Sequence, residues 1–286
     1  MTVAESAVFD APARPRRGPR HAYGLVTAWA FLGIILFLAV AAPLVAPYSP
    51  TKQDTSVGGQ LQGPSVAHLL GTDADGQDVL SRLIWGSRPA LEGLAIGLLV
   101  MLIIGIPWGL AAGYLGRWVD EALMRTADAL LAFPGIVLAV AITGVLGPTL
   151  INAMVAVGVV LSPSIARLLR GSVQPLRTAD YVRIPALFGV GRLRIALRHV
   201  LPNAMAPVLV QTCAIASIML IIEAALSFLG VSGSLTAPAW GAQLSAAYSY
   251  FVSAPLATVA PGLIITLTAL SLSRAGDGFR ARLGVG

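Results

Sequence analysis

Lysine, cysteine and charge are what this sequence of 286 residues has least of. Lys52 is the only lysine, set in Pro50-Thr51-Lys52-Gln53-Asp54. A Walker-type phosphate loop needs a glycine-rich backbone followed by Lys and then Ser or Thr. No such loop precedes Lys52, so the chain does not bind ATP in that manner. The single cysteine, Cys213, excludes an internal disulfide and, lying in an apolar run, reads as a small buried hydrophobe. The three histidines, His21, His68 and His199, fall in separate segments. No metal cluster and no set of nucleophile, base and orienter is spaced among them, so catalysis by the chain itself is not expected. Charged residues make up 11% of the chain, against about 25% in soluble domains. With 56% hydrophobic residues and a mean hydropathy of +0.81, the chain reads as an integral membrane protein. The net charge of +6 does not point to nucleic acid, because the arginines cluster beside apolar segments and no basic surface interleaved with aromatics accompanies them.

What is present is a series of long apolar runs. Residues 1–21 are polar, with Arg14, Arg16 and Arg17 among Pro12, Pro15 and Pro19, and predict a disordered cytoplasmic tail. Residues 22–50 carry no charge and predict the first transmembrane helix; the run is too long for a signal peptide and offers no small-residue cleavage site. Residues 51–89 form a polar, glycine-rich extracytoplasmic segment. Asp73, Asp75 and Asp78 around Gly76 lack the glycine position and distal glutamate of a calcium loop, so we expect a capped turn into a short helix near 77–86, with Asp78 and Arg82 paired four apart.

Residues 90–275 predict a five-helix core. Its first span covers 93–116, after which Asp120, Arg125 and Asp128 suggest a local charge network on a helix entering the membrane. Residues 129–166 hold no charge over 38 positions. As one helix they would reach about 57 Å, nearly twice a hydrocarbon core of about 30 Å, so two spans are expected with the turn at Leu146-Gly147-Pro148-Thr149. Residues 204–222 and 256–273 supply the last two spans, 231–255 a headgroup-level stretch, and 276–286 a second cytoplasmic tail. Pro107, Pro134 and Pro163 stand where they can bend spans. Glu223 should face the bundle or the outer boundary, lining the exit of a route or bonding the turn after its span.

Arginine fixes the orientation. Sorted by alternating side, the N-terminal tail, the 116–127 loop, the 167–202 loop and the C-terminal tail hold 16 of the 18 arginines, leaving Arg82 and Arg88 opposite. Positive residues mark the cytoplasm, so both termini lie inside and six spans satisfy the even count required.

The main polar interruption of the second half is YVRIPALFGVGRLRIALRHVLP, residues 181–202, within a cytoplasmic segment over 171–203. Leu193, Ala196, Leu197 and Val200 recur at helical spacing, with Arg194 and Arg198 four apart on another face. A first short helix over 181–188 tolerates Pro185 if that residue lies in its first turn, Gly189 and Gly191 form an elbow, and Pro202 is expected to close the second helix. From charge alone, the stretch is either a docking element for a protein partner or a basic loop touching anionic headgroups.

In that topology the stretch resembles the EAA loop of ABC importer permeases. Gly189 is followed after nine residues by His199-Val200-Leu201-Pro202, although Arg183-Ile184-Pro185 stand where Glu-Ala-Ala would be expected. The segments HLLGTDADGQDVLSRLIWGSR, WVDEALMRTADALLAFPG, YVR, RHVLPNA, EAALSFLGVSG and APAWGAQL resemble, in order, those of the C-type permease subunits of dipeptide and oligopeptide importers (DppC/OppC), over about residues 25–283. The resemblance implies a type I ABC importer permease fold, all-α with six transmembrane helices, in the bacterial inner membrane. It implies half of a heterodimeric pore for di- and oligopeptides, with nickel or another small solute as the alternative. Implied partners are a second six-span permease subunit, two P-loop ATPase subunits or one fused ATPase holding the ATP and Mg, an extracytoplasmic solute-binding protein, and membrane lipids. No cofactor in this chain and no nucleic acid are implied. The ATPase-coupling residues would be Tyr181, Arg183, Leu187, Phe188, Gly189, Leu193, Arg194, Arg198 and Pro202, with Leu187, Phe188 and Leu193 as apolar knobs and Arg192, Arg194 and Arg198 facing acidic groups. A self-sufficient secondary transporter or channel would instead need a midplane ion site in two matching halves, and no such repeat is found.

Overall fold

The structure, a computed structural model, describes residues 19–54, 58–233 and 236–284, with side chains described from Gly24 onward. The tail predicted for residues 1–21 lies outside the described residues up to 18; from Pro19 the chain is already helical. Ten α-helices follow: α1 (Pro19–Val45), α2 (Val79–Leu115), α3 (Arg117–Leu131), α4 (Gly135–Leu146), α5 (Leu150–Leu176), α6 (Asp180–Leu187), α7 (Arg192–Ile195), α8 (Leu201–Phe228), α9 (Trp240–Tyr248) and α10 (Pro255–Leu283). Among the described residues, five helical stretches are long and apolar enough to cross a membrane, and the bent pair α3–α4 brings the count to six if it crosses as one broken span.

Helix lengths depart from the sequence reading for identifiable reasons. α1 stops at Val45 rather than 50, since Pro47 disfavours helical backbone at the residue before it. The short helix expected near 77–86 and the span at 93–116 are one helix of 37 residues, which passes through Pro89 and Pro107. The third span is not continuous: α4 has only 12 residues, too short for a hydrocarbon core, and α3 meets it at an angle of 89° across Ala132-Phe133-Pro134. The turn at 146–149 lies where expected. Asn152 donates from Nδ2 to the carbonyls of Leu146 at 2.8 Å and Gly147 at 3.1 Å, and the Thr149 side chain caps α5. α5 runs on past Arg167 and Arg170, α8 past Glu223, and α10 past Ser273 to Leu283, where a free tail was expected from residue 276.

The centre of the bundle is the seam between α2 and α5. Gly93, Gly97, Met101, Gly105, Gly109 and Gly113 recur every four residues along α2 and are all buried. A Cβ at Gly105 would lie 2.8 Å from the Ser162 carbonyl, one at Gly109 2.9 Å from Leu169 Cβ, and one at Gly113 2.7 Å from Val173 Cβ. From α5, Gly158 returns the fit against Val100. Without a hydrophobic force between helices in lipid, such close approach of backbones is what holds them. α8 packs on this pair, while α1, α9 and α10 build a second core around Ile35, Leu220, Trp240 and Ile265.

Residues 46–54 and 58–78 fold as a cap over the N-terminus of α2. Asp78 takes the N-cap, its Oδ2 accepting from Ser81 N–H at 2.8 Å, and its Oδ1 meets His68 Nδ1 at 2.9 Å. Arg82 therefore does not pair with Asp78. It reaches Asp73 at 3.4 Å and donates to the Ala237 carbonyl at 3.3 Å, because the cap already holds Asp78. Burial pushes the Asp73 carboxyl above the ordinary aspartate range, against the Gln77 N–H and the Arg82 charge, which pull it down. Trp240 and Gln243 of α9 close the same end, donating to the carbonyls of Leu83 at 2.9 Å and Arg82 at 2.8 Å. Pro43 cannot donate to the Ala39 carbonyl one turn back, and Arg88 Nε supplies that bond at 2.6 Å.

Candidate functional site

At the opposite end, residues 180–202 form a projection of two short helical arms joined at Gly189–Gly191. α6 is eight residues long and ends on Gly189, whose φ of +79° only glycine adopts without strain. The Gly189 N–H donates to the Ala186 carbonyl at 3.2 Å and the Val190 N–H to the Pro185 carbonyl at 3.1 Å. These two bonds are the Schellman closure of a helix C-terminus. Pro185 is not in the first turn of α6 but at its sixth residue. The helix absorbs it because the turn ends two residues later and the Pro185 carbonyl serves the closure.

The second arm differs more from expectation. α7 has four residues, and residues Ala196–Val200 form a π-helical turn that runs straight into α8. The Leu201 N–H reaches the Ala196 carbonyl, five residues back. Pro202, which was expected to end the arm, sits inside this continuous helix. A proline clashes with the carbonyl four residues before it, and the wider π turn makes room there. Asn203 Nδ2 donates to the His199 carbonyl at 2.7 Å within the same turn. The turn also splits the apolar stripe: Ala196 and Val200 go inward with Ile195, while Leu193 and Leu197 face out.

The projection thus has a floor and a roof. Val182, Ile195, Ala196 and Val200 belong to the same buried cluster as Leu169 and Val173 of α5 and Ala204 of α8. On the roof, Leu187 is 85%, Phe188 84% and Leu193 72% exposed, with Tyr181 and Ile184 beside them. Arg183, Arg192, Arg194 and Arg198 stand exposed around these side chains, and their side chains make no ion pair or hydrogen bond among the described residues. Sequence reasoning placed Ala196 and Val200 on an apolar stripe but missed Val182 and Ile195, which carry no charge or glycine to mark them.

A belt of charge fastens neighbouring elements to this end. Arg170 of α5 grips Asp120 of α3 through Nε and, at 2.8 Å, through Nη2; Arg167 reaches Asp128 at 2.6 Å. Arg125 pairs with Glu121 at 2.6 Å rather than with Asp120 or Asp128. The expected network within α3 is therefore mainly a clamp between α3 and α5, since Asp120 and Asp128 meet arginines of the helix packed beside them while Glu121 keeps Arg125 within α3.

Glu223 is not part of this site. It lies 21 residues beyond Pro202 on α8, about 30 Å along the helix. It faces the bundle, 1% exposed, where a Cβ at Gly93 would meet its Cγ at 3.4 Å. Neither carboxylate oxygen has a hydrogen-bond partner among the described residues.

The family model for the binding-protein-dependent transport system inner membrane component matches residues 105–284. The dipeptide transport system permease protein DppC of Alkalihalophilus pseudofirmus is 36% identical, over 93% of this chain and 92% of that protein. The di/tripeptide transport system permease protein DppC of Pseudomonas aeruginosa is 39% identical, over 92% of this chain and 88% of its own length. The glutathione transport system permease protein GsiD of Pectobacterium atrosepticum is 36% identical, over 90% of this chain and 85% of its own. Among solved structures, a chain of the MetNI methionine ABC transporter in inward-facing conformations shares the fold, with a TM-score of 0.57 and 18% identity over 71% of this chain and 96% of that chain.

Proposed function

We propose, from the premise that this chain belongs to the family of binding-protein-dependent transport system inner membrane components, that it is half of an inward-directed peptide pore and that residues 181–202 couple it to ATP hydrolysis. The observation that carries the coupling role is the two-sided projection: exposed Leu187, Phe188 and Leu193 with free arginines above, and Val182, Ile195 and Val200 locked into the bundle below. Closure of an ATPase pair has to be converted into movement of spans, which needs a rigid element seated in the ATPase and anchored in the membrane helices. Because α7 and the π turn continue into α8 without a joint, a push on Leu193 is a push on a membrane span.

The partners in this reading are a second permease subunit, P-loop ATPase subunits that bind ATP and Mg, and an extracytoplasmic solute-binding protein. Arginine asymmetry supports cytoplasmic termini and a cytoplasmic projection, with the cap at the other end outside. Short peptides are the proposed cargo, supported by the names of the dipeptide and di/tripeptide relatives. The glutathione relative favours a second reading, a thiol-bearing γ-glutamyl tripeptide. The test is to purify the tagged chain with its partners, reconstitute it in liposomes with the binding protein, and measure ATP-driven uptake of a labelled dipeptide with glutathione as competitor. Dipeptide uptake unaffected by excess glutathione supports the first cargo, and displacement supports the second. Transport by the chain alone, without an ATPase, would overturn the coupling role.

A further inference from the structure

α1 and α10 run antiparallel and enclose a cleft of about 300 Å³. Each helix contributes one face: Gly24, Thr27, Ala28 and Phe31 from α1, and Leu267, Leu270, Ser271 and Arg274 from α10, both sets at i, i+3, i+4 and i+7. The gap exists because Gly24, Ala28 and Ser271 are too small to fill it. Its two ends differ in chemistry. Phe31 and Leu267 make one end apolar, while Arg274 stands at the other, its guanidinium 3.2 Å from where a Cβ at Gly24 would lie. Thr27, Leu267 and Leu270 are exposed, so the cleft opens on the outward surface of the bundle, beside a stripe of exposed Val26, Ile34 and Phe37 on α1. Arg274 makes no ion pair or hydrogen bond among the described residues.

We infer that this cleft holds an anionic phospholipid, its phosphate on Arg274 and the Ser271 hydroxyl and one acyl chain along Phe31, Leu267 and Leu270. Charge complementarity selects this occupant. A guanidinium at the end of an apolar slot needs a negative group on an apolar stem, and a headgroup without its own ammonium leaves that charge uncompensated until Arg274 meets it. The chain's own N-terminal segment does not fit: residues 1–20 carry Glu5 and Asp10 against Arg14, Arg16, Arg17 and Arg20, a net +2 that repels Arg274. The orientation proposed above decides only the leaflet, which is the cytoplasmic one.

The test purifies the full chain from vesicles of equal phosphatidylglycerol and phosphatidylcholine and counts retained lipid by mass spectrometry. The expected result is retention of phosphatidylglycerol over phosphatidylcholine by about fivefold, the gain one arginine gives near a membrane surface. Arg274→Gln reduces the ratio to about one, whereas Arg282→Gln, on the same helix beyond the cleft, leaves it unchanged. Leu267→Trp, which fills the apolar end and keeps the charge, lowers retention of both lipids and guards against a folding defect in the arginine variant. An unchanged ratio in Arg274→Gln overturns the inference. So does displacement of the lipid by millimolar inorganic phosphate, which would make this a free-phosphate site, or loss of the lipid when the chain is purified with its partner subunits, which would make the cleft a protein contact.

Discussion

The two ends of the bundle treat their polar groups in opposite ways. At the cap end, Asp73, Asp78, Arg82, His68, Trp240 and Gln243 pair with one another or with backbone groups of the same chain, although Arg82 Nε and Gln77 Oε1 stay buried without a partner among the described residues. At the loop end, four arginines and three large apolar side chains are left open on a floor that is fully packed. A network closed within the chain holds shape, and one left open on a rigid support is offered to something else. The arginines of the loop end stay solvated and carry no burial cost, whereas the polar groups of the cap end are buried and most of them need the partners the chain supplies.

Arg82→Met is the sharpest way to break the closed end. The side chains of Arg82 and Asp73 are 4% and 14% exposed, so removing the guanidinium leaves the Asp73 carboxylate without its counter-charge and the Ala237 carbonyl without its donor. Methionine keeps the apolar stem. Removing one partner of a buried pair costs about 3–5 kcal/mol, and for a chain of this size that lowers Tm by roughly 10 °C. Thermal unfolding of the purified protein in detergent measures it. A change of only about a degree would show that the cap is not held by this network.

The open end predicts the converse. Replacing Leu187 and Phe188 together by Ala removes almost no intramolecular contact, so stability should stay within about 0.5 kcal/mol. If the two are anchors in a partner groove, their loss costs at least about 2 kcal/mol of association, which lowers ATP-driven uptake roughly thirtyfold at limiting ATPase concentration. Wild-type uptake in this variant would remove the roof from the coupling role.

The sequence made the open end legible and much of the closed end illegible. Exposed charge, paired glycines and a proline at fixed spacing are local features, so the outline of the projection over 181–202 is legible in the sequence. Which carboxylate meets Arg82 depends on how the cap folds back, and the i, i+4 rule named Asp78 where the fold supplies Asp73. The π turn at 196–200 was hidden for a related reason: reading one stripe through Leu193, Ala196, Leu197 and Val200 assumes a constant helical period, which Pro202 forces the backbone to abandon. The glycines of α2 were within reach. Their spacing of four is plain in the sequence, but it gains meaning only when α5 lies against it.

The smallest expected effect separates conformation from contact inside the projection itself. Gly189 and Gly191 flank the same elbow, and a Cβ at either would meet nothing within 4 Å. They differ in backbone: Gly189 has φ +79°, while Gly191 has φ −59°. Gly189→Ala therefore strains the closure of α6 and should cost about 1 kcal/mol, whereas Gly191→Ala should be neutral or stabilise by a few tenths, since it only restricts the unfolded chain. Denaturant titration of both variants measures the difference. If it is present and uptake falls only in Gly189→Ala, the elbow works by holding Leu187 and Phe188 in place. If both variants keep normal stability, the Schellman closure contributes nothing, and the projection is held by its floor alone.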